Sequence, residues 1–193
     1  MTRILLIGPP GSGKGTQARR LSGQLHIPEI STGDMFRSHL ANGSPLGREI
    51  KRFLDAGNLV PDNLTTAMLR ERLQERDARN GFLLDGYPRT VSQMDDLDGI
   101  LDAAGNRLDA VVEIAAGDDE IVRRLLLRSE AEGRSDDTEN VIRHRLELYR
   151  QETEPVIARY GRRALLVRID GTADIEAVTV SALQGIEELR ARP

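Results

Sequence analysis

Gly8-Pro9-Pro10-Gly11-Ser12-Gly13-Lys14-Gly15-Thr16 follows the apolar run Arg3-Ile4-Leu5-Leu6-Ile7 and precedes a segment, Thr16 to Leu25, with Ala18, Leu21 and Leu25 at helical intervals. The run reads as a buried strand, so the order is strand, glycine loop, helix. In that setting glycines let successive backbone N–H groups turn inward on a phosphate, and the helix adds the positive end of its dipole. The stretch nearly satisfies G-x-x-x-x-G-K-[ST], with Gly8, Gly13 and Lys14 in place. Gly15 stands where a magnesium-binding hydroxyl is usual, and the hydroxyl arrives one residue late, at Thr16.

The alternative is a glycine-rich turn carrying a lysine by chance, and composition argues against it. Of the 27 basic residues only Lys14 and Lys51 are lysines; the remaining 25 are arginines. Arginine therefore fills ordinary surface positions in this chain, and any one arginine is weak evidence. A lysine kept in a glycine loop is stronger evidence, because a compact ammonium fits between phosphate oxygens where a planar guanidinium does not.

The rest of the composition bounds the answer. The chain has 193 residues, enough for one core with small insertions. It has no long apolar run and no signal-peptide core, so a cytoplasmic protein is expected. It contains no cysteine, which excludes disulfides and thiolate metal sites, and His26, His39 and His144 are scattered. A net charge of −4 argues against a general nucleic-acid binder.

Outward from the loop, Pro28 to Ser31 is a short extended segment, and Thr32-Gly33-Asp34 offers a cap for a helix carrying Met35, Phe36 and Leu40. Asn42-Gly43-Ser44 breaks the chain before a helix opened by Pro45 and stopped at Gly57. Another helix begins at Val60-Pro61-Asp62. Gly81 to Asp85 reads as a second central strand, Thr90 to Ala104 as a helix, Ala110 to Ile114 as a third strand, and Asp118 to Arg128 as a helix. Ser129 to Asp137 reads as a loop. Thr138 to Tyr160 forms a long helix with a bend expected at Pro155, Ala164 to Ile169 a last strand, and Ile175 to Leu189 a last helix. This alternation predicts an α/β fold: a parallel P-loop sheet of about five strands with helices on both faces. Thr32 to Val60 and Ser129 to Asp137 lie outside the rhythm, and are expected to be small mobile flaps at the carboxyl edge of the sheet.

Further residues suggest chemistry. Asp85 ends its strand where P-loop proteins keep an acid that orients magnesium, often through water. Arg89 follows Gly86-Tyr87-Pro88 and can fork onto phosphate oxygens. Gln93 lies one helical turn on, and its amide can accept and donate at an adenine edge; each alone reads equally well as a solvated side chain. Arg124, Arg128, Arg134 and Arg145 surround one flexible loop and suit a polyphosphate ligand. Arg123, Arg143 and Arg150 read as exposed ion pairs. Nothing suggests a covalent intermediate, so the inventory fits phosphoryl transfer by positioning and charge neutralisation.

Over essentially its whole length the sequence resembles adenylate kinases. Gly8 to Gln17, Ile30-Ser-Thr-Gly-Asp34, Leu54-Asp-Ala-Gly57 with Leu59-Val60, and Gly81 to Arg89 with Gln93 match that family's motifs in order. The form Lys14-Gly15-Thr16 is usual there. The resemblance implies ATP + AMP ⇌ 2 ADP with Mg2+, in a monomeric three-part enzyme whose partners are ATP, AMP and ADP rather than nucleic acid or membrane. Its parts would be a core of residues 1–30, 61–127 and 138–193, an AMP-binding flap at 31–60 and a lid at 128–137. Gly11, Ser12, Gly13, Lys14, Gly15 and Thr16 would bind ATP phosphates, with Arg128 and Gly171 at the ATP base. Thr32, Arg37, Asn58, Leu59, Val60, Gly86, Tyr87, Pro88, Arg89 and Gln93 would form the AMP site. Arg124, Arg134 and Arg145 would close on the phosphates during transfer. Magnesium would be held by nucleotide and water, ordered by Asp85 and Thr16. The lid matches the short form, so no structural zinc is expected. Two rivals remain at this level. One is a kinase for UMP or CMP, which carries asparagines where this chain has Thr90 and Gln93. The other is a nucleotide switch, which would leave Arg37, Arg89 and Gln93 without a task.

Overall fold

The computed structural model describes residues 2–132 and 138–191, with backbone alone at 131–132. Among them five strands form one parallel sheet in the order β2-β3-β1-β4-β5. They are β1 (Thr2–Ile7), β2 (Glu29–Ser31), β3 (Gly81–Asp85), β4 (Ala110–Ala115) and β5 (Leu166–Asp170). The helices between them are α1 (Lys14–Leu25), α2 (Thr32–Ala41), α3 (Pro45–Asp55), α4 (Asp62–Leu73), α5 (Val91–Ala103), α6 (Asp118–Glu132), α7 (Glu139–Leu148), α8 (Glu154–Arg162) and α9 (Ile175–Arg190).

The unbroken apolar run of β1 is explained by burial on both sides. Leu5 and Ile7 pack with Leu69, Met94, Leu97, Ile157 and Tyr160, which come from α4, α5 and α8. Ile4 and Leu6 face the opposite way, onto Ala18 and Leu21 of α1 and Val178, Ala182 and Ile186 of α9. A strand has period two, so an apolar residue at every position means two apolar layers. Two smaller clusters stand apart. Phe36, Ile50, Val60 and Met68 join α2 and α3 to the start of α4, and Ile121, Leu125, Ile142 and Leu146 pair α6 with α7.

Several boundaries differ from expectation. The α6 helix runs on to Glu132 instead of stopping at Arg128. Residues 129–132 are Ser-Glu-Ala-Glu, and glutamate and alanine carry no helix-breaking penalty; the first glycine comes only at 133. The bend assigned to Pro155 is instead a π-helical turn over Tyr149–Thr153 that ends two residues earlier. Pro155 then lies in the first turn of α8, where its missing N–H leaves no hydrogen bond unmade. The α2 helix is capped by Ser31, whose Oγ accepts from Asp34 N at 3.3 Å, while Thr32 is already helical. The last strand begins at Leu166, because Ala164 takes the left-handed conformation at φ 57°.

Candidate active site

All five strands point their carboxyl ends the same way, and the loop after β1 lies at that edge with the ends of β3 and β4. Gly11 and Gly13 hold φ values of +81° and +97°, which glycine adopts without strain. A Cβ at Gly11 would stand 2.7 Å from Leu125 Cγ, so α6 packs directly on the loop. Lys14 opens α1 and turns back to donate to Pro9 O at 2.7 Å. Arg124 reaches in from α6, donating to Gly171 O at 2.9 Å, while Glu120 accepts its Nε at 2.6 Å.

A cleft of about 410 Å³ opens above the loop. Gly11, Gly13, Lys14, Gly15 and Thr16 line one side, Asp85 to Arg89 another, and Arg124, Arg128 and Arg145 a third. The electrostatics follow first from burial and then from the charges gathered around the loop. Burial pulls the Lys14 ammonium down to about 8, the Asp85 carboxylate opposes this, and Arg89, Arg145 and Arg128 add to it. Burial likewise pulls Arg89 below its ordinary value, again opposed by Asp85. Asp85 Oδ1 and Ser12 Oγ are buried and find no hydrogen-bond partner among the described residues. Orphaned polar atoms at such a place suit a ligand that brings its own polar groups.

A second cavity of about 280 Å³ lies between α2, α3 and the start of α5. Thr32, Arg37, Asn58, Leu59, Val60, Gly86, Arg89 and Gln93 all line it, while Tyr87 and Pro88 line the first cleft. Thr32 Oγ1 donates to Gly86 O at 3.0 Å, tying α2 to the end of β3. Asn58 Oδ1 meets His144 Nε2 at 2.7 Å, which joins the segment after α3 to α7. Arg37 pairs with Asp34. Arg37, Arg89 and Arg145 line both cavities and form a shared wall.

Two sequence-based assignments sit differently from the rest. Gly171 is buried, its N–H donates to Ala115 O at 2.7 Å and its carbonyl accepts from Arg124, so its backbone is engaged within the protein. Arg134 lies outside the described residues. The three arginines set aside as surface pairs are indeed paired: Arg123 with Glu120, Arg143 with Glu139, and Arg150 with Asp118.

Other contributors escaped the sequence reading. Asp62 Oδ1 accepts from Gln93 Nε2 at 2.7 Å and its Oδ2 from Thr90 Oγ1 at 2.8 Å. Thr153, in the π-helical turn, donates to Arg89 O at 2.9 Å. Glu120 braces Arg124. In sequence these are a helix-start aspartate, a mid-helix threonine and a surface glutamate, and only the tertiary contact distinguishes them. Among the described residues there is no group of three His, Cys, Asp or Glu that could hold a metal, and no helix long and apolar enough to cross a membrane.

The family model for adenylate kinase matches residues 6–165, a span that holds the loop, both cavities and the arginine wall. The chain belongs to the adenylate kinase family. It is similar to the adenylate kinase of Kocuria rhizophila, 54% identical over 97% of this chain and 100% of that one. The adenylate kinase of Renibacterium salmoninarum is 53% identical over 99% of each chain, and that of Thermobifida fusca 48% identical over 96% and 98%. The chain is accordingly a nucleoside monophosphate kinase and phosphotransferase, catalysing ATP + AMP ⇌ 2 ADP. Five parallel strands with helices on both faces are the P-loop fold of adenylate kinases.

Proposed function

We propose that the cleft over the glycine loop takes ATP, that the second cavity takes AMP, and that the phosphoryl group passes along the shared wall between them. The observation that carries this assignment is that wall: Arg37, Arg89 and Arg145 line both cavities. A group bearing charge on three oxygens during transfer needs cations that serve donor and acceptor alike, held in place before the reaction begins.

In this reading Gly11 to Thr16 enclose the ATP phosphates, with Lys14 exchanging its Pro9 contact for phosphate oxygens. Arg128 flanks the ATP base. For Gly171 we assign a different part from the base contact: it positions Arg124 through its carbonyl. Arg37 and Arg89 bind the AMP phosphate, and Thr32, Asn58, Leu59, Val60, Gly86 to Pro88 and Gln93 shape the nucleoside site. Arg124, Arg145 and Arg134 close on the transferring group. Residues 31–60 act as the AMP flap, 128–137 as the lid, and the remainder as core. The apolar cluster of Phe36, Ile50 and Val60, which reaches Met68 of α4, seats this flap on the core.

Mg2+ bound with ATP would neutralise phosphate charge, and the residues present fit it. The orphaned Oδ1 of Asp85 can order metal-bound water, and Thr16 lines the same cleft. We place the enzyme in the cytoplasm as a monomer acting on free nucleotides. Arg89→Ala tests the assignment of the wall. It is expected to lower kcat about 10²–10³-fold, as loss of a transition-state donor does. A mutant with raised KM for AMP and unchanged kcat would show that Arg89 only binds the acceptor.

A further inference from the structure

We infer that Asp62 is a specificity-determining positioning residue, one that fixes which end of the Gln93 amide faces the acceptor base. The inference rests on the reading that Gln93 faces that base. Gln93 is 2% exposed, and both ends of its amide are held. Its Oε1 accepts from Arg89 N at 2.8 Å, and its Nε2 donates to Asp62 Oδ1 at 2.7 Å. Neither partner can reverse its part. A backbone N–H only donates and a carboxylate only accepts, so a flipped amide would set donor against donor and acceptor against acceptor.

Asp62 is itself anchored. Its Oδ2 accepts from Thr90 Oγ1 at 2.8 Å, and Thr90 Oγ1 accepts from Gln93 N at 3.1 Å as the cap of α5. The carboxylate therefore joins the first residue of α4 to the first turn of α5, holding Gln93, which lines the second cavity.

The consequence concerns purines that differ only at position 6. A primary amide has two N–H donors and two lone pairs, so one of each remains on Gln93 once these contacts are made. A 6-aminopurine presents a donor at the exocyclic nitrogen and an acceptor at N1. A 6-oxopurine presents an acceptor and a donor at the same two places. An amide free to rotate by half a turn could serve either pattern; a locked one serves the amino pattern and leaves the oxo pattern with two opposed pairs. Buried mismatched polar groups are what give a site strong discrimination. Asp62 thus supplies rejection of IMP without touching the nucleotide.

The test compares kcat/KM for AMP and IMP, with ATP as donor, in the wild type, Gln93→Ala, Asp62→Ala and Asp62→Asn. Gln93→Ala is expected to collapse the AMP-over-IMP ratio; if it leaves the ratio intact, Gln93 does not face the base. With that control in hand, Asp62→Ala is expected to lower the ratio at least tenfold, with KM for ATP unchanged. Asp62→Asn, which keeps one oxygen to share between Gln93 and Thr90, is expected to lower it at least threefold. It also serves alone should the alanine variant fail to fold. Equal losses toward AMP and IMP, or an unchanged ratio in the folded Asp62 variants, would overturn the inference and leave Asp62 a structural tie.

Discussion

The Lys14 ammonium donates to the Pro9 carbonyl oxygen at 2.7 Å, so the glycine loop is closed on its own lysine. In the proposed ATP site, phosphate oxygens have only to replace one carbonyl for the ammonium to be in place, and little ordering remains to be done on binding. Lys14→Met is expected to lower kcat by about 10²–10³-fold or more, with the fold intact by circular dichroism. Lys14→Arg is expected to rescue little, because a planar fork replaces a point charge. Near-normal turnover of either variant would place the phosphate loop elsewhere.

The same lysine predicts a pH profile. Burial brings its ammonium to about 8, so in the free enzyme the charge is present below that pH and lost above it. The kcat/KM for ATP is expected to fall as pH rises through about 8, since that ratio reports the free enzyme. Bound phosphate favours the ammonium, so kcat is expected to hold to higher pH. A kcat/KM flat to pH 10 would contradict the burial.

Stability has a separate signature at alkaline pH. Burial pushes the Tyr87 hydroxyl up to about 12 and raises Tyr149 and Tyr160 further. Above pH 10 the unfolded chain loses these protons while the folded one keeps them, so unfolding becomes easier. Lys14 acts oppositely between 8 and its ordinary 10.5, because there the unfolded chain binds the extra proton. Denaturant melts of the unliganded protein are expected to show a steep fall in midpoint only beyond pH 10. A fall that begins near pH 8 would sink this reading.

Asp85 is expected to reveal itself through magnesium. Its Oδ1 is buried without a hydrogen-bond partner among the described residues, and its charge opposes the loss of the Lys14 and Arg89 protons. Asp85→Asn keeps the shape and removes the charge. We expect a rate loss of about 10²-fold or more and a higher magnesium concentration for half-maximal activity. An unchanged magnesium dependence would remove Asp85 from that task.

Gly47 offers a stability test of the proposed flap. A Cβ there would lie 2.1 Å from His39 O, where α3 crosses the end of α2. Gly47→Ala is expected to destabilise by about 1–3 kcal/mol through overpacking, read from thermal melts. Its KM for AMP should rise more than its KM for ATP, since the strain falls where α2 meets α3, the helices that line the second cavity.

The sequence was most legible where local chemistry alone dictates the backbone. Glycines with positive φ, a lysine among arginines and apolar strands covered on both faces located the loop, the sheet and the cleft. It was least legible where a neighbour decides. Thr153 is an ordinary helix residue until a π-helical turn brings its hydroxyl to Arg89 O. Nothing near Gly171 in sequence announces that its carbonyl accepts from Arg124 and its N–H donates to Ala115 O. The α6 helix passes its expected end at Arg128 because charged residues of high helix propensity continue a helix as readily as apolar ones.

The wall common to both cavities constrains more than the forward rate. If the phosphoryl group passes along that wall as proposed, two ADP molecules returning to ATP and AMP must meet Arg37, Arg89 and Arg145 in the same positions, because the reverse path crosses the same barrier. The overall equilibrium belongs to the nucleotides and no substitution in the wall can move it. A defect there slows synthesis and breakdown of ADP together, so this architecture can be throttled but not made one-way.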